Sequence, residues 1–579
     1  MAVLAQPLLP AAPSPTEPVL MRPAPQTSPR RLPRPQPAAA PLPIPARQHS
    51  PAPRRLPAPQ SLLEPQPIAG PQQVPASRPL SDAAPDRAYW WTAPVAKPLL
   101  PQGRWVQFDL GTVVADALLQ SPRILGVEQE VKIAVEGIVS QDAAFDSRLL
   151  LESTYGRTSD PVGNSLVTGG PSRLREKDWS SEVGFQRTTR QGGRWEVTQQ
   201  LGLLDSNSLF FIPRNQGNTR LGISLSQPLL AGGGRLYNER LIIDARLDAE
   251  VARQDSVLEI QNTLAELMLT YWRLYLHRCR YVQQADLLER ALKLERIIEG
   301  RHLLDTGQAE RLRVREQVEL RRTELVRART DFQNEQTRLA LLVGSQGLSS
   351  ERVDELIPRS RPVCKRQVID VRQAVVQGLQ HRPEVAIAAA DLENAGLELA
   401  VTRNQLLPQL NALVETYVLG LNGNQDVGGS LADQFTEGEP GFSAGLQFEM
   451  PVGRRAARAK HRAAHAEYQQ QLQAVREAML TTRSEIEIAV REVNVALELI
   501  THRQNTLAAA VAEESYVLRR WELLGGGGNN IGLVVEDLLD AQQSRTTAEE
   551  KLVESEVDYL SSLIRLQLAM GTLLLSDQP

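Results

Sequence analysis

Residues 441–460 read GFSAGLQFEMPVGRRAARAK, and three kinds of structure meet in them. Phe442, Ala444, Leu446, Phe448 and Met450 alternate with Ser443, Gly445, Gln447 and Glu449. A period of two with one apolar and one polar face is the pattern of a strand standing between lipid and water. Pro451 follows where a ladder donor is no longer needed, and Gly453 lets the backbone swing away from the strand direction. From Arg454 to about Leu524 there is neither proline nor glycine, so a helix of about 70 residues and about 100 Å is predicted. Strand, joint and very long helix succeed one another without a linker.

The same succession occurs earlier in the chain. Leu221, Ile223 and Leu225 alternate with Arg220, Gly222, Ser224 and Ser226; Pro228 and Gly232 make the joint. From Leu236 to about Leu303 only Gly300 interrupts a run of apolar residues spaced three and four apart, which predicts a helix of about 68 residues. Two further matches extend the likeness: DLGTVVADALLQSP (109–122) with DVRQAVVQGLQHRP (370–383), and RLALLVG (338–344) with RLQLAMG (565–571). Three matches in the same order indicate an internally duplicated unit. The offset falls from 261 at the first match to 223 at the joint, so the first copy holds about 38 more residues there. Within them, 181–204 reads as a hairpin turning at Gln191-Gly192-Gly193. The later rise of the offset to 227 corresponds to Gly525, Gly526, Gly527 and Gly528.

Each copy adds a shorter second helix, Gln308 to about Val343 and Leu533 to about Leu574, and a short first helix, about Val113 to Val139 and about Val368 to Leu406. The second helix of one copy and the first of the next add to roughly one long helix. End-to-end stacking of that pair beside a long helix predicts a cylinder of antiparallel coiled-coil helices about 100 Å tall. The remaining strands alternate likewise. Leu410, Ala412, Val414 and Val418 oppose Asn411, Glu415 and Tyr417; Phe145, Leu149, Leu151 and Tyr155 oppose Asp146, Arg148, Glu152 and Thr154. Four such strands, or six with the hairpin, cannot close a barrel alone, so oligomerisation is expected.

The 64 basic and 68 acidic residues balance, against a nucleic-acid binder acting by phosphate neutralisation. No apolar stretch is long enough for a helical membrane span, a result that leaves a β-barrel open. Twenty-seven of the 39 prolines precede Leu110, so 1–108 is expected to be a Pro/Ala/Arg-rich disordered arm, with no recognisable signal peptide at its start. The remaining domains are a first repeat at 109–347, a linker at 348–367 and a second repeat at 368–575. Cys279 and Cys364 form no metal or disulfide pattern. His461 and His465 have i, i+4 spacing without the glutamate of HExxH and read as a helix face. Nucleophile elbow and Rossmann fingerprints are absent; no enzyme, cofactor or metal is expected.

This pattern resembles the TolC-family outer membrane efflux proteins over about Asp109 to Leu574. The likeness rests on HRPEVAIAAADLENAGLELAVTRNQLLPQL (381–410), the joints SQPLLAGGGR and EMPVGRR, and VVEDLLDAQQSRTTAEEKLVESEVDYLSSLIRLQLAMG (534–571). It implies an α+β membrane protein in the outer membrane with a periplasmic extension. It further implies a homotrimer whose four strands per protomer, plus a probable extra hairpin, form a β-barrel of twelve strands continued by an α-helical coiled-coil barrel. The partners implied are a periplasmic adaptor (membrane fusion protein), an inner-membrane pump and outer membrane lipid, but no nucleic acid.

In similar proteins, acidic rings at the start of the last helix constrict the periplasmic tip. The matching residues here are Asp537 and Asp540, placed on one helix face by their i, i+3 spacing; an ordinary solvated face is the competing reading. The tip turns are Thr306 and Gly307 in the first copy and the tetraglycine in the second. Glu310 and Arg313 follow the first turn, and the family often has an acid near Arg313. Arg454, Arg455, Arg458 and Lys460 could lie near lipid phosphates or simply open a solvated helix. The rival architecture, a periplasmic coiled-coil adaptor or scaffold without a barrel, typically has a single helical hairpin between β domains, unlike the duplicated unit.

Overall fold

The computed structural model describes residues 89–100, 103–164, 166, 168–300, 308–348, 352–524 and 531–575. Residues 1–88 of the arm and both tip turns (Thr306 and Gly307; Gly525, Gly526, Gly527 and Gly528) lie outside the described residues. In chain order come α1 (Thr92–Val95), β1 (Trp105–Phe108), α2 (Leu110–Gln120), α3 (Pro122–Asp142), β2 (Arg148–Pro161), β3 (Arg173–Thr188), β4 (Arg194–Ser206) and β5 (Asn215–Pro228). They lead into α4 (Arg235–Asn238), α5 (Arg240–Gly300) and α6 (Gln308–Val343). Then follow β6 (Glu355–Pro358), α7 (Val371–His381), α8 (Pro383–Asn404), β7 (Gln409–Gly423), α9 (Val427–Thr436), β8 (Gly441–Glu449), α10 (Arg455–Leu524) and α11 (Ile531–Ala569).

The long helices form as expected, α5 with 61 residues and α10 with 70. At 1.5 Å per residue they span about 92 and about 105 Å. The first helix of each copy is instead two helices, because the residue before a proline is pushed out of the helical region. Ser121 and Arg382 are extended, with ψ 119° and 122°, so α2 breaks before Pro122 and α7 before Pro383. Each second helix ends against the break of its own copy, rather than of the next. Gly344 (φ +69°) closes α6 against Pro122 and the Gln120 carbonyl, and Gly571 (φ +66°) closes α11 against the His381 carbonyl. The stacking predicted between copies is therefore corrected to stacking within one.

The strands form one antiparallel sheet in the order β2-β3-β4-β5-β7-β8. Of the two expected counts, four strands or six with the hairpin, the chain has six, because β3 and β4, the extra hairpin, stand inside the sheet. Their register explains it. Leu149, Phe185, Val197, Ile223, Thr416 and Phe442 lie directly opposite one another across all six strands. One residue along, Arg148, Gln186, Glu196, Ser224, Glu415 and Ser443 form the next row on the other face. A slip of one residue in any strand would turn its apolar set to the polar face. Phe145 belongs to a short 3-10 turn before β2, so the first strand starts later than the alternation suggests.

Part of the expected arm is core. Trp91 and Val95 are 2% and 1% exposed among side chains of α5, α6, α10 and α11, and β1 pairs in parallel with β6. The composition boundary at 108 thus fails for 89–100 and 103–108, where three of the seven tryptophans and a short strand supply apolar area that the proline count ignores. Beneath them Arg278 of α5 is fully buried with Glu355 of β6, Nη1 to Oε1 2.6 Å. Arg278 Nη2 also donates to the carbonyls of Val95 (3.0 Å) and Lys97 (2.8 Å), while Glu355 accepts from the backbone N–H of Leu99 and Leu100. One ion pair thereby fastens the N-terminal segment to the long helix.

Glu556 of α11 lies near this core, half-buried beside Cys364, whose Sγ is 3.9 Å from the Glu556 carbonyl oxygen. Burial pushes its carboxyl up to about 7. A carboxyl raised on folding holds its proton more tightly in the native state, so it lowers stability as pH rises from its unfolded value through about 7. Glu556→Gln is expected to reduce the loss of stability between about pH 5 and about pH 8. Urea midpoints at both pH values measure this, and an unaltered pH dependence would refute the assignment.

Candidate conduit wall, joints and tip

The apolar rows of the sheet are bare. Phe442 is 83% exposed and Leu149 75%, and Leu151, Leu446 and Phe448 are similarly bare. From Trp195 to Leu203 this face runs about 27 Å along β4, at about 3.4 Å per residue. Surfaces of this size on a water-soluble chain are covered by a partner or a bilayer. The opposite face carries charge in register: Arg220 Nη2 is 2.9 Å from Glu415 Oε1, and its guanidinium stacks 4.5 Å from the centre of the Tyr417 ring. Among the described residues the two edges, β2 and β8, have no neighbouring strand.

At both joints the backbone passes from strand toward helix. Pro228 is the last residue of β5, and Gly232 adopts φ +84° with its N–H bonded to Asn404 Oδ1 at 2.9 Å. Pro451 follows β8, and Gly453 adopts φ +88°. Arg454, also at positive φ, donates to the Leu406 carbonyl (2.8 Å), while Arg455, Arg458 and Lys460 are exposed. The inserted hairpin is tied to the first joint: Arg190, in its turn, bonds Glu239 (2.9 Å) and Asp142 (2.7 Å). Both partners raise the Arg190 basicity, and Arg235 and Arg190 hold the Glu239 carboxyl below its ordinary range. His461 is 3.2 Å from the Thr402 hydroxyl and His465 is exposed. Among the described residues no group of three or more metal-ligand side chains converges, and no helix is long and apolar enough to cross a membrane.

At the tip, Leu538 and Leu539 are buried in a small core with Leu294, Val314 and Trp521. This orients α11 so that Asp537 and Asp540 are both exposed. Asp537 Oδ2 stands 3.3 Å from Arg520 of α10. Arg313 of α6 pairs across the helices with Glu536 of α11 at 2.7 Å. Arg321, buried just behind, bonds Gln542 and the Leu539 carbonyl; burial pulls its guanidinium down to about 10, with Asp540 acting in the opposite direction.

A polar brace higher up has no counterpart in the sequence reading. Arg290 of α5 bonds Glu514 of α10 (2.8 Å) and Thr546 of α11 (3.1 Å). Arg545 bonds the other Glu514 oxygen (2.7 Å) and Glu549, which also accepts from the Trp90 indole (3.0 Å). The local signals are the i, i+4 spacings of Arg545 to Glu549 and of Asp286 to Arg290; the partners that join the helices are more than 30 residues apart.

Residues 374–572 match the family described as outer membrane efflux protein. No curated protein matches the chain by sequence. Among solved structures, the outer-membrane channel OprN aligns with 16% identity, covering 80% of this chain and 89% of that one, at a TM-score of 0.58. The CmeC outer membrane channel of Campylobacter jejuni aligns with 13% identity, 80% and 86% coverage and a TM-score of 0.58. The outer membrane protein VceC of Vibrio cholerae aligns with 16% identity, 80% and 96% coverage and a TM-score of 0.56.

Proposed function

We propose that this chain, which resembles the TolC-family outer membrane efflux proteins in fold and carries their family signature over 374–572, is an outer membrane channel of the efflux class. It acts as the passive exit duct for small molecules or secreted cargo delivered by an inner-membrane pump through a periplasmic adaptor. The observation that carries this reading is the six-stranded sheet with one bare apolar face, one charged face and two unpaired edges, joined directly to helices of about 100 Å. Unpaired edges in a bilayer are intolerable, so the sheet closes only with further copies. With three copies, the number that the family resemblance implies, the barrel counts eighteen strands rather than twelve. Barrels of about 16–18 strands leave an aqueous channel. The charged rows then line the lumen and the apolar rows meet lipid. Asp537 and Asp540 narrow the far end of the helical tunnel, and the two halves of the chain are copies of one duplicated unit.

Membrane fractionation followed by sizing in detergent tests the reading. A heat-resistant trimer in the outer membrane is expected. A soluble monomer or dimer from exported protein would mean that the strands form no membrane wall, and a periplasmic scaffold would replace the channel.

A further inference from the structure

Helix α9 has inverted polarity. A helix lying on a sheet in water hides its apolar stripe and shows its polar one. Here Ser430 and Gln434 are completely buried against the strands, whereas Leu431 and Phe435 are 39% and 67% exposed. Val427, Leu431 and Phe435 recur every four residues and share one side of the helix. The only charged side chain in α9, Asp433, accepts from Asn422 Nδ2 at 2.8 Å, and so is spent on the sheet.

The sheet is shaped to receive the polar side. Thr219 Oγ1 donates to the Ser430 carbonyl at 3.0 Å, and the amides of Gln199 and Gln434 bond each other at 3.2 and 3.4 Å. A Cβ at Gly420 would stand 2.0 Å from the Ser430 carbonyl oxygen, so the helix reaches this depth only over glycine. Asp426 caps the helix by accepting from the Gly429 N–H at 2.8 Å.

The register places this seat on the apolar face. Thr219 lies opposite Leu201 and Gly420, and Gln199 opposite Leu221, on the side that carries Ile223 and Leu225. Gln199 and Thr219 are polar interruptions within the band from Trp195 to Leu203. Helix α9 covers both and offers Val427, Leu431 and Phe435 in their place. Its seat lies toward the Gly423 end of β7, away from the joints with α5 and α10.

We propose that α9 is a lipid-contacting element, its Val427, Leu431 and Phe435 stripe standing among the acyl chains of the leaflet farther from the helical tunnel. The inference rests on the barrel reading and deepens it. Continuity with the bare apolar rows, and the engagement of Ser430, Asp433 and Gln434 by the sheet, select lipid over an aqueous lumen or a second copy.

The test uses the full chain reconstituted in phospholipid vesicles, with a nitroxide attached at Leu431→Cys or Phe435→Cys. Leu446→Cys and Ser443→Cys report on the apolar and polar faces of β8. Burial pushes both native thiols up, Cys364 to about 12, so labelling at neutral pH goes to the introduced cysteine. Labels at 431 and 435 are expected to relax with dissolved oxygen and to lose collision with a water-soluble nickel chelate, like the label at 446. If 446 behaves in this way while 431 and 435 meet the chelate, the barrel stands and the α9 proposal is overturned. Immobile labels at 431 and 435 that meet neither reagent would place the helix against protein and also overturn it. Should 446 itself meet the chelate, the barrel reading fails and α9 with it.

Discussion

Replacing Arg278 with methionine is expected to destabilise the fold by about 3–5 kcal/mol, because Glu355 is left as a buried charge without its partner. The loss has two further parts. The carbonyls of Val95 and Lys97 lose their donor, and the N-terminal segment carrying Trp91 loses its tie to α5. Urea unfolding in detergent, followed by tryptophan fluorescence, measures it. The double variant Arg278→Met with Glu355→Leu is expected to recover much of the loss, since apolar replacements of a whole buried pair are often neutral or better. Equal midpoints for the parent and the single variant would show that the pair stabilises nothing.

The second large effect is expected in conduction. Under the proposed threefold assembly, Asp537 and Asp540 contribute six carboxylates around one axis, a ring that attracts and holds multivalent cations. Each carboxylate is worth about 1 kcal/mol to a cation at about 4 Å in water-like surroundings. Asp537→Ala with Asp540→Ala is therefore expected to weaken cation block in planar bilayers by at least about tenfold, the equivalent of about 1.4 kcal/mol. Currents and block unchanged from the parent protein would reject the constriction. The Arg520 partner of Asp537 makes the outcome informative, because a carboxylate fully engaged by its own chain would contribute little to a pore ring.

What was legible in the sequence is what repeats with a short period. Alternation marked the faces of β7 and β8 residue by residue, and the lack of proline and glycine marked α10 almost to its ends. The joints were legible because a proline and a glycine have few other uses between a strand and a helix. Contacts across long separations were not. Arg278 and Glu355 are 77 residues apart, and nothing local distinguishes that arginine from its neighbours Arg273 and Arg280. The segment 427–436, VGGSLADQFT, has two glycines near its start and drew no reading from the sequence; it is a helix because Asp426 caps it and the sheet takes up its polar side. The same blindness affected the candidate site. Asp537 and Asp540 are proposed from position along the chain, whereas Arg290, Glu514 and Arg545 form a group only once three helices are side by side.

The stacked arrangement of the helices has a mechanical consequence. From Arg455 to Leu524, α10 contains neither proline nor glycine, so a sharp bend has nowhere to start. Along its flank the chain is broken, with α8 and α11 meeting at Pro383 and Gly571. A continuous rod therefore splints a jointed one, and the jointed member alone can take up slack. Torque applied to α10 near Leu524 travels its whole length to Gly453, and the two regions move as the ends of one lever.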